Sequence, residues 1–108
     1  MNRGEIRWYK FRYPDKQRPI LILTRDSAIP VLTGITVAPL TSTIRNIPTE
    51  VMLAPDEDHV IQLSVVNLDN IQTVPKAKIG RLITALSLER MQEVEEALCF
   101  ALGIDVLI

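Results

Sequence analysis

The sequence runs Pro19-Ile20-Leu21-Ile22-Leu23 a short way from its N-terminus. This uninterrupted apolar stretch is rich in β-forming residues, which is typical of a strand buried on both faces. Residues 5–11 before it alternate in polarity, with Ile6 on one face and Tyr9 on the other, and predict a strand with two useful faces. Further strand segments are predicted at residues 35–38, 49–53, 64–67, 71–74 and 79–83.

The last element has a different period. Apolar residues recur there at spacings of three and four, which predicts an amphipathic helix; they are Leu88, Met91, Val94, Leu98 and Leu102. Ser87 is a good N-cap and Gly103 a good C-terminal stop. We therefore predict a mainly β fold with a C-terminal helix, in which a small, strongly bent sheet or barrel forms one domain over residues 1–108.

Composition narrows the class of protein. With 108 residues, 47% of them hydrophobic and 23% charged, the chain can bury one core. The longest uncharged stretch, residues 27–44, contains prolines and a glycine and does not read as a transmembrane helix. The N-terminus has charges where a secretory signal needs an apolar run, and the single cysteine, Cys99, can form no internal disulfide. We expect a cytoplasmic protein without a membrane anchor.

The charges are unevenly distributed. Residues 1–25 hold seven Lys or Arg and two acidic residues, a net charge of +5, whereas the remainder carries −6. Aromatic residues are interleaved with these cations, an arrangement suited to a polyanion with stackable bases; they are Trp8, Tyr9, Phe11 and Tyr13. The alternative is a basic face that merely balances the acidic helix.

Most catalytic motifs are missing from the sequence. It contains no CxxC, HExxH, glycine-rich phosphate loop or Gly-x-Ser-x-Gly. A single His and a single Cys nearly exclude zinc sites and Cys/His dyads, so we predict no metal site. We interpret residues 56–58 as a solvated acidic turn rather than a cation site, and His59 as an exposed loop residue.

Arg18 and the hydroxyl cluster Thr41-Ser42-Thr43 are the remaining candidates. Arg18 precedes one buried strand, and the cluster follows another. If those strands are neighbours, the guanidinium and the hydroxyls can converge on one phosphate. The alternative is that Arg18 is an ordinary surface charge and Thr41 a strand-end cap.

Five segments, in this order and spacing, resemble the MazF/PemK family of toxin ribonucleases: Arg3–Ile6, Arg18–Thr24, Val37–Ser42, Pro48–Val51 and Ser64–Val74. The similarity covers almost the whole chain. It implies an SH3-like or CcdB-like β-barrel, a homodimer and neutralisation by a cognate antitoxin. It also implies sequence-specific cleavage of single-stranded RNA, without metal or cofactor, to a 2′,3′-cyclic phosphate and a 5′-hydroxyl.

By position, the resemblance assigns catalysis to Arg18, in the family's Arg-Pro motif, and to Thr41. Asp69 and Asn70 match family positions near bound RNA. Further candidate RNA contacts are Ser42 and Thr43, which extend the hydroxyl cluster, and Lys78, as a phosphate contact. The alternative is that these five are ordinary turn or surface residues. The loop over residues 13–17 is shorter than in many members and lacks their usual acidic residue, as in certain mycobacterial members. Asp15 is a possible replacement, with simple turn chemistry as the alternative.

Two other functions fit a small barrel. One is a CcdB-like poison that binds DNA gyrase without chemistry, although such proteins depend on the last helix residues, and the tail Asp105–Ile108 has no obvious match. The other is a non-catalytic SH3-like binding module. The apolar tail Val106–Ile108 is compatible with a dimer seam.

Overall fold

The computed structural model describes residues 1–11 and 16–105. Asp15 and the tail Val106–Ile108 lie outside these described residues. Within these two ranges, seven strands and two α-helices follow one another in the order β1 (Glu5–Lys10), β2 (Gln17–Ile22), β3 (Gly34–Thr41), β4 (Glu50–Leu53), α1 (Pro55–Asp58), β5 (Ser64–Asn67), β6 (Gln72–Pro75), β7 (Leu82–Ala85) and α2 (Leu88–Leu102). Two 3₁₀ turns, Leu68–Asn70 and Lys76–Lys78, flank β6.

The strands form one bent, half-barrel sheet with the order β4-β5-β3-β2-β1-β7, and β6 pairs with β3. The pairings are antiparallel. The long strand β3 is central, because β6 pairs with its first half and β5 with its end. The prediction of a mainly β, barrel-like fold with a C-terminal helix is confirmed.

The sheet separates two apolar clusters. The larger lies between the sheet and α2, and its members include Ile6, Leu21, Leu40 and Val94. The smaller lies on the other face and includes Tyr9, Ile20, Ile22 and Val37. Alternate residues of β2 therefore enter different clusters, which confirms that this strand is buried on both faces.

The terminal helix has the predicted ends. The Ser87 side chain accepts a hydrogen bond from the Arg90 backbone N–H at 3.1 Å, and Gly103 ends the helix with φ of 69°. Its buried residues are Met91, Val94 and Ala97. Leu88 and Leu102, predicted to face the core, are exposed; they are the first and last residues of the helix.

The last strand begins later than predicted from residues 79–83. The Ile79 N–H donates to Lys76 O in a 3₁₀ turn, and Gly80 N–H donates to Trp8 O at 2.8 Å. A Cβ at Gly80 would lie 3.0 Å from Trp8 O. This close approach and a register shift between Ile6 and Arg7 delay regular pairing until Leu82.

The acidic segment 56–58 is only in part the solvated turn expected, because Asp56 and Glu57 are exposed whereas Asp58 is buried. Residues 55–58 form a short helix, and the Asp58 side chain is only 5% exposed. It accepts hydrogen bonds from Ala54 N–H and from Arg90 Nε of α2, both at 2.9 Å. Asp58 is buried because Arg90, which is distant in sequence, pairs with its carboxylate. His59 is exposed as expected.

No helix within the described part of the chain is both long and apolar enough to cross a membrane.

Candidate active site

Strand pairing brings the two principal candidates together. Strands β2 and β3 are antiparallel, with Ile20 opposite Pro39. Arg18 lies two residues before Ile20 in β2 and Thr41 two residues after Pro39 in β3, so both lie at the same end of this strand pair. The strands β2 and β3 are therefore neighbours, as the hypothesis of a shared phosphate site at Arg18 and Thr41 requires.

Two clefts open at this end of the strands. Cleft A has a volume of about 300 Å³ and a largely apolar wall. Its polar lining comes from Lys16, Gln17, Arg18, Thr41, Ser42, Gln62 and Ser64, while Trp8 and Ile61 are among its apolar residues.

Cleft B has a volume of about 360 Å³ and a more polar lining. It is formed by Phe11, Arg18, Pro39, Thr41, Arg45, Asn67, Asn70 and Gln72. The two clefts share two residues, Arg18 and Thr41. The guanidinium and the hydroxyl therefore lie where the clefts meet.

The lining of both clefts is basic. Cleft A contains Lys16 and Arg18, and cleft B contains Arg18 and Arg45. Among the described residues that line either cleft, none is an aspartate or a glutamate. An anion that enters either cleft therefore meets cations without a competing carboxylate in the lining.

Arg18 is available to a ligand. It is exposed, and no side chain within residues 1–11 and 16–105 bonds to its guanidinium. Thr41 is half-buried, and its hydroxyl oxygen accepts the Thr43 backbone N–H at 3.2 Å. The Thr41 hydroxyl proton is free to point into the clefts.

The other predicted RNA contacts divide into two groups. Ser42 lines cleft A and Asn70 lines cleft B. Thr43, Asp69 and Lys78 are exposed but line neither cleft. The structure therefore places two of these five residues beside Arg18 and Thr41.

Asp69 has a structural partner instead. Its carboxylate accepts the hydroxyl of Thr49 at 2.6 Å, and Thr49 is buried. Its backbone N–H donates to the Asn67 side chain at 3.0 Å. These bonds connect the 3₁₀ turn after β5 to the start of β4.

Sequence reasoning missed Arg45, Asn67 and Gln72 of cleft B, and it noted Phe11 without assigning it to a site. Arg45 lies four residues after Thr41 in a polar loop, where nothing in the sequence marks it as facing a cleft. The pairing of β6 with β3 brings Gln72 to cleft B, because Gln72 is opposite Val37 in that pairing. That pairing is a long-range property which the sequence pattern does not reveal.

Within the ranges that the structure describes, no group of three or more His, Cys, Asp or Glu residues is arranged to hold a metal ion.

Comparison with known proteins identifies the family. A family model described as a PemK-like, MazF-like toxin of type II toxin-antitoxin systems matches residues 2–102. The probable endoribonuclease MazF5 of Mycobacterium tuberculosis is 38% identical over 104 residues, which cover 96% of this chain and 91% of that protein. The endoribonuclease MazF3 of the same species is 43% identical over 91 residues, covering 84% of this chain and 87% of that protein.

Solved structures agree with the sequence matches. The M. tuberculosis toxin MazF-mt6 has a TM-score of 0.85 and 39% identity, over 94% of this chain and 99% of that one. A mycobacterial endoribonuclease in complex with its cognate antitoxin has a TM-score of 0.89 and 28% identity, over 99% of both chains. The chain belongs to the PemK-like, MazF-like family of type II toxin-antitoxin toxins.

Proposed function

We propose that this protein is an endoribonuclease toxin that cuts single-stranded RNA at the junction of clefts A and B. The observation that carries the proposal is that Arg18 and Thr41 line both basic clefts, and that the Arg18 guanidinium has no partner among the residues that the structure describes. Family membership and the endoribonuclease names of the mycobacterial relatives support the same activity.

The lining of cleft B suits an unpaired nucleotide. Phe11 offers a ring on which a base can stack, and it is held edge-on by Tyr9 at a centroid distance of 4.9 Å. Asn70 and Gln72 offer amides for hydrogen bonds to a base edge. A duplex would keep its base edges paired, so these groups favour single-stranded RNA.

In the proposed reaction the RNA supplies its own nucleophile. The ribose 2′-oxygen attacks the adjacent phosphorus, a 2′O–P bond forms and the P–O5′ bond breaks. The 2′-hydroxyl proton passes to a base, and the leaving 5′-oxygen takes up a proton from water. The products are a 2′,3′-cyclic phosphate and a 5′-hydroxyl, and no metal is needed to generate the nucleophile.

Arg18 and Thr41 have separate tasks in this reaction. Arg18 stabilises the charge that develops on the phosphate oxygens, since its guanidinium remains protonated and donates in a fork. Thr41 donates its hydroxyl to one phosphate oxygen and holds the phosphorus in line with the 2′-oxygen. The described cleft residues supply neither a carboxylate nor an imidazole to take the 2′ proton, and we propose that it passes to water.

The proposal extends to partners and location. We propose a cytoplasmic homodimer that is neutralised by a cognate antitoxin protein. Exposed apolar side chains on β7 and α2 support a protein-covered surface, among them Leu82, Leu88 and Phe100. The antitoxin-bound mycobacterial relative supports the second partner.

The test is incubation of the purified protein, in EDTA, with a long messenger RNA, a ribosomal RNA and a transfer RNA, beside Arg18→Ala. We expect discrete cuts at a recurring sequence, which the variant does not make. Intact RNA after incubation with a folded preparation would reject the proposal in favour of a gyrase poison or a binding module. Gyrase inhibition is then the assay that separates those two.

A further inference from the structure

Arg45 is the second arginine of cleft B, and the reaction described above gives it no task. It lies on the loop between β3 and β4, four residues beyond Thr41. Its side chain is 57% exposed and lines cleft B with Arg18 and Thr41. Two cations therefore face one cleft from different elements of the fold.

The loop that carries Arg45 is held by a buried acid, Glu50. One oxygen of Glu50 accepts the backbone N–H groups of Arg45 at 2.9 Å and of Asn46 at 3.1 Å. Asn46 has a φ of 58°, a left-handed conformation that this pair of bonds stabilises. Glu50 is itself fixed in β4 opposite Asn67 of β5. The loop is thereby tied to the sheet.

The other oxygen of Glu50 is unusual. The Glu50 side chain is only 2% exposed, and its Oε2 has no hydrogen-bond partner in the part of the chain that the structure describes. It lies 3.8 Å from Nε of Arg45, beyond hydrogen-bond distance but close enough for electrostatic attraction. The carboxylate therefore orients the guanidinium without using its N–H donors.

The donors of Arg45 remain available. A guanidinium has five N–H donors in a fixed fork, which matches the geometry of a phosphate. No hydrogen bond to the Arg45 guanidinium occurs within the described ranges. Glu50 does not line cleft B, so its carboxylate does not contact an anion bound there.

We propose that Arg45 binds a backbone phosphate of the RNA next to the scissile one, and that Glu50 positions Arg45 for this contact. The inference rests on the proposed function, because it takes the polyanion in cleft B to be RNA. A phosphate contact fixes the strand in the cleft without reading its sequence, so Arg45 contributes to affinity for every substrate.

The first test is the cleavage of a short RNA that spans a mapped cut site, measured over a range of NaCl concentrations. For Arg45→Ala we expect KM to rise about tenfold and kcat to stay within about twofold. The plot of log(kcat/KM) against log[NaCl] should become shallower by about 0.7, the value for one phosphate of a single strand. Arg45→Lys should retain most of that slope, and Arg81→Ala, an exposed arginine outside both clefts, should behave as wild type.

The positioning role of Glu50 has its own test. Glu50→Gln keeps an oxygen for the two backbone N–H groups but removes the charge beside Arg45. We expect KM to rise about threefold in the wild-type background and not to rise further when Arg45 is already alanine. A purely structural role would raise KM in both backgrounds. The thermal unfolding midpoint of each variant shows that the protein is folded.

Binding of a 2′-O-methyl RNA of the same sequence, followed by fluorescence anisotropy, separates the two proposals. If the wild type binds but does not cut ordinary RNA, the proposed function fails, and weaker, less salt-dependent binding by Arg45→Ala still supports the phosphate contact. If the wild type cuts and Arg45→Ala matches it in KM and salt dependence, the inference about Arg45 fails alone. If the wild type neither binds nor cuts RNA, both fail.

Discussion

Arg18 and Thr41 are the two residues that clefts A and B have in common. They come from strands β2 and β3, whose antiparallel register carries them to the same end of the sheet. One arginine and one hydroxyl thus face both clefts, and an RNA strand that runs from one cleft to the other passes between them.

Loss of either shared residue should remove activity and leave the fold intact. We expect Arg18→Ala to lower kcat/KM about 10²- to 10³-fold, because it removes the charge that stabilises the transition state. Thr41→Ala should lower it about tenfold to hundredfold through one lost hydrogen bond to a charged group. Arg25→Ala and Thr33→Ala are exposed controls outside both clefts. Wild-type cutting by either cleft variant would contradict the assignment.

Stacking on Phe11 should contribute to RNA affinity. We expect Phe11→Leu to weaken binding of single-stranded RNA by about 1–3 kcal/mol, the usual cost of losing one base–aromatic stack. Anisotropy with 2′-O-methyl RNA measures the change. Phe100→Leu, on the exposed face of α2, is the matched control. Equal affinities for the two variants would remove Phe11 from the RNA site.

Asp69 should matter for stability and not for RNA. Its bond to the buried Thr49 hydroxyl predicts that Asp69→Ala and Thr49→Ala each lower the free energy of unfolding by about 1–2 kcal/mol. The double variant should lose much less than the two single losses combined, since both changes break the same bond. Urea unfolding provides the measurement. A stable Asp69→Ala protein with weakened cutting would instead support an RNA contact.

The pairing of Arg90 with Asp58 should be the most costly ion pair to break. The bond to Asp58 raises the pKa of Arg90, although burial opposes the rise. Arg90→Ala leaves a buried carboxylate unpaired, and we expect a loss of about 3–5 kcal/mol in unfolding free energy. Arg3→Ala, whose partner Glu95 is half-exposed, should cost less. Equal losses in thermal or urea unfolding would refute this ranking.

Glu5 should make the stability sensitive to acid. Partial burial raises the pKa of Glu5, but hydrogen bonds from Arg7 and the Asn2 backbone and the nearby positive charges outweigh it, so the pKa lies below its ordinary 4.5. A lowered folded pKa means that the stabilisation is present above pH 4.5 and disappears as the pH falls through the folded pKa.

Glu5→Gln tests this sign. The variant should be less stable than wild type by about 0.5–1 kcal/mol at pH 7, and the difference should shrink as the pH falls below 4.5. Urea unfolding at several pH values measures it. A difference that grows on acidification would mean that the folded pKa is raised.

Local patterns in the sequence were sufficient for most of the fold. The apolar run at Pro19–Leu23 predicts a strand buried on both faces, and both ends of α2 follow from Ser87 and Gly103. The predicted start of β7 was wrong, because the observed start depends on the close approach of Gly80 to Trp8. That contact joins residues far apart in the sequence.

The site was less predictable for the same reason. Arg18 and Thr41 were identified from strand ends and from the family resemblance, and their juxtaposition needed only neighbouring strands. Arg45 and Gln72 reach cleft B through pairings of β4 and β6, and the burial of Glu50 depends on the loop it holds. None of these features has a local sequence signal.

In the proposed reaction, the RNA's own 2′-hydroxyl attacks the phosphorus at the junction of the clefts. The most direct measurement compares, in EDTA, a short RNA that spans a mapped cut with the same RNA carrying one 2′-deoxy residue on the 5′ side of that cut. We predict that the all-ribose strand yields a 2′,3′-cyclic phosphate and a 5′-hydroxyl, while the substituted strand stays intact at that bond. Cutting of the substituted strand at the normal rate would contradict the account.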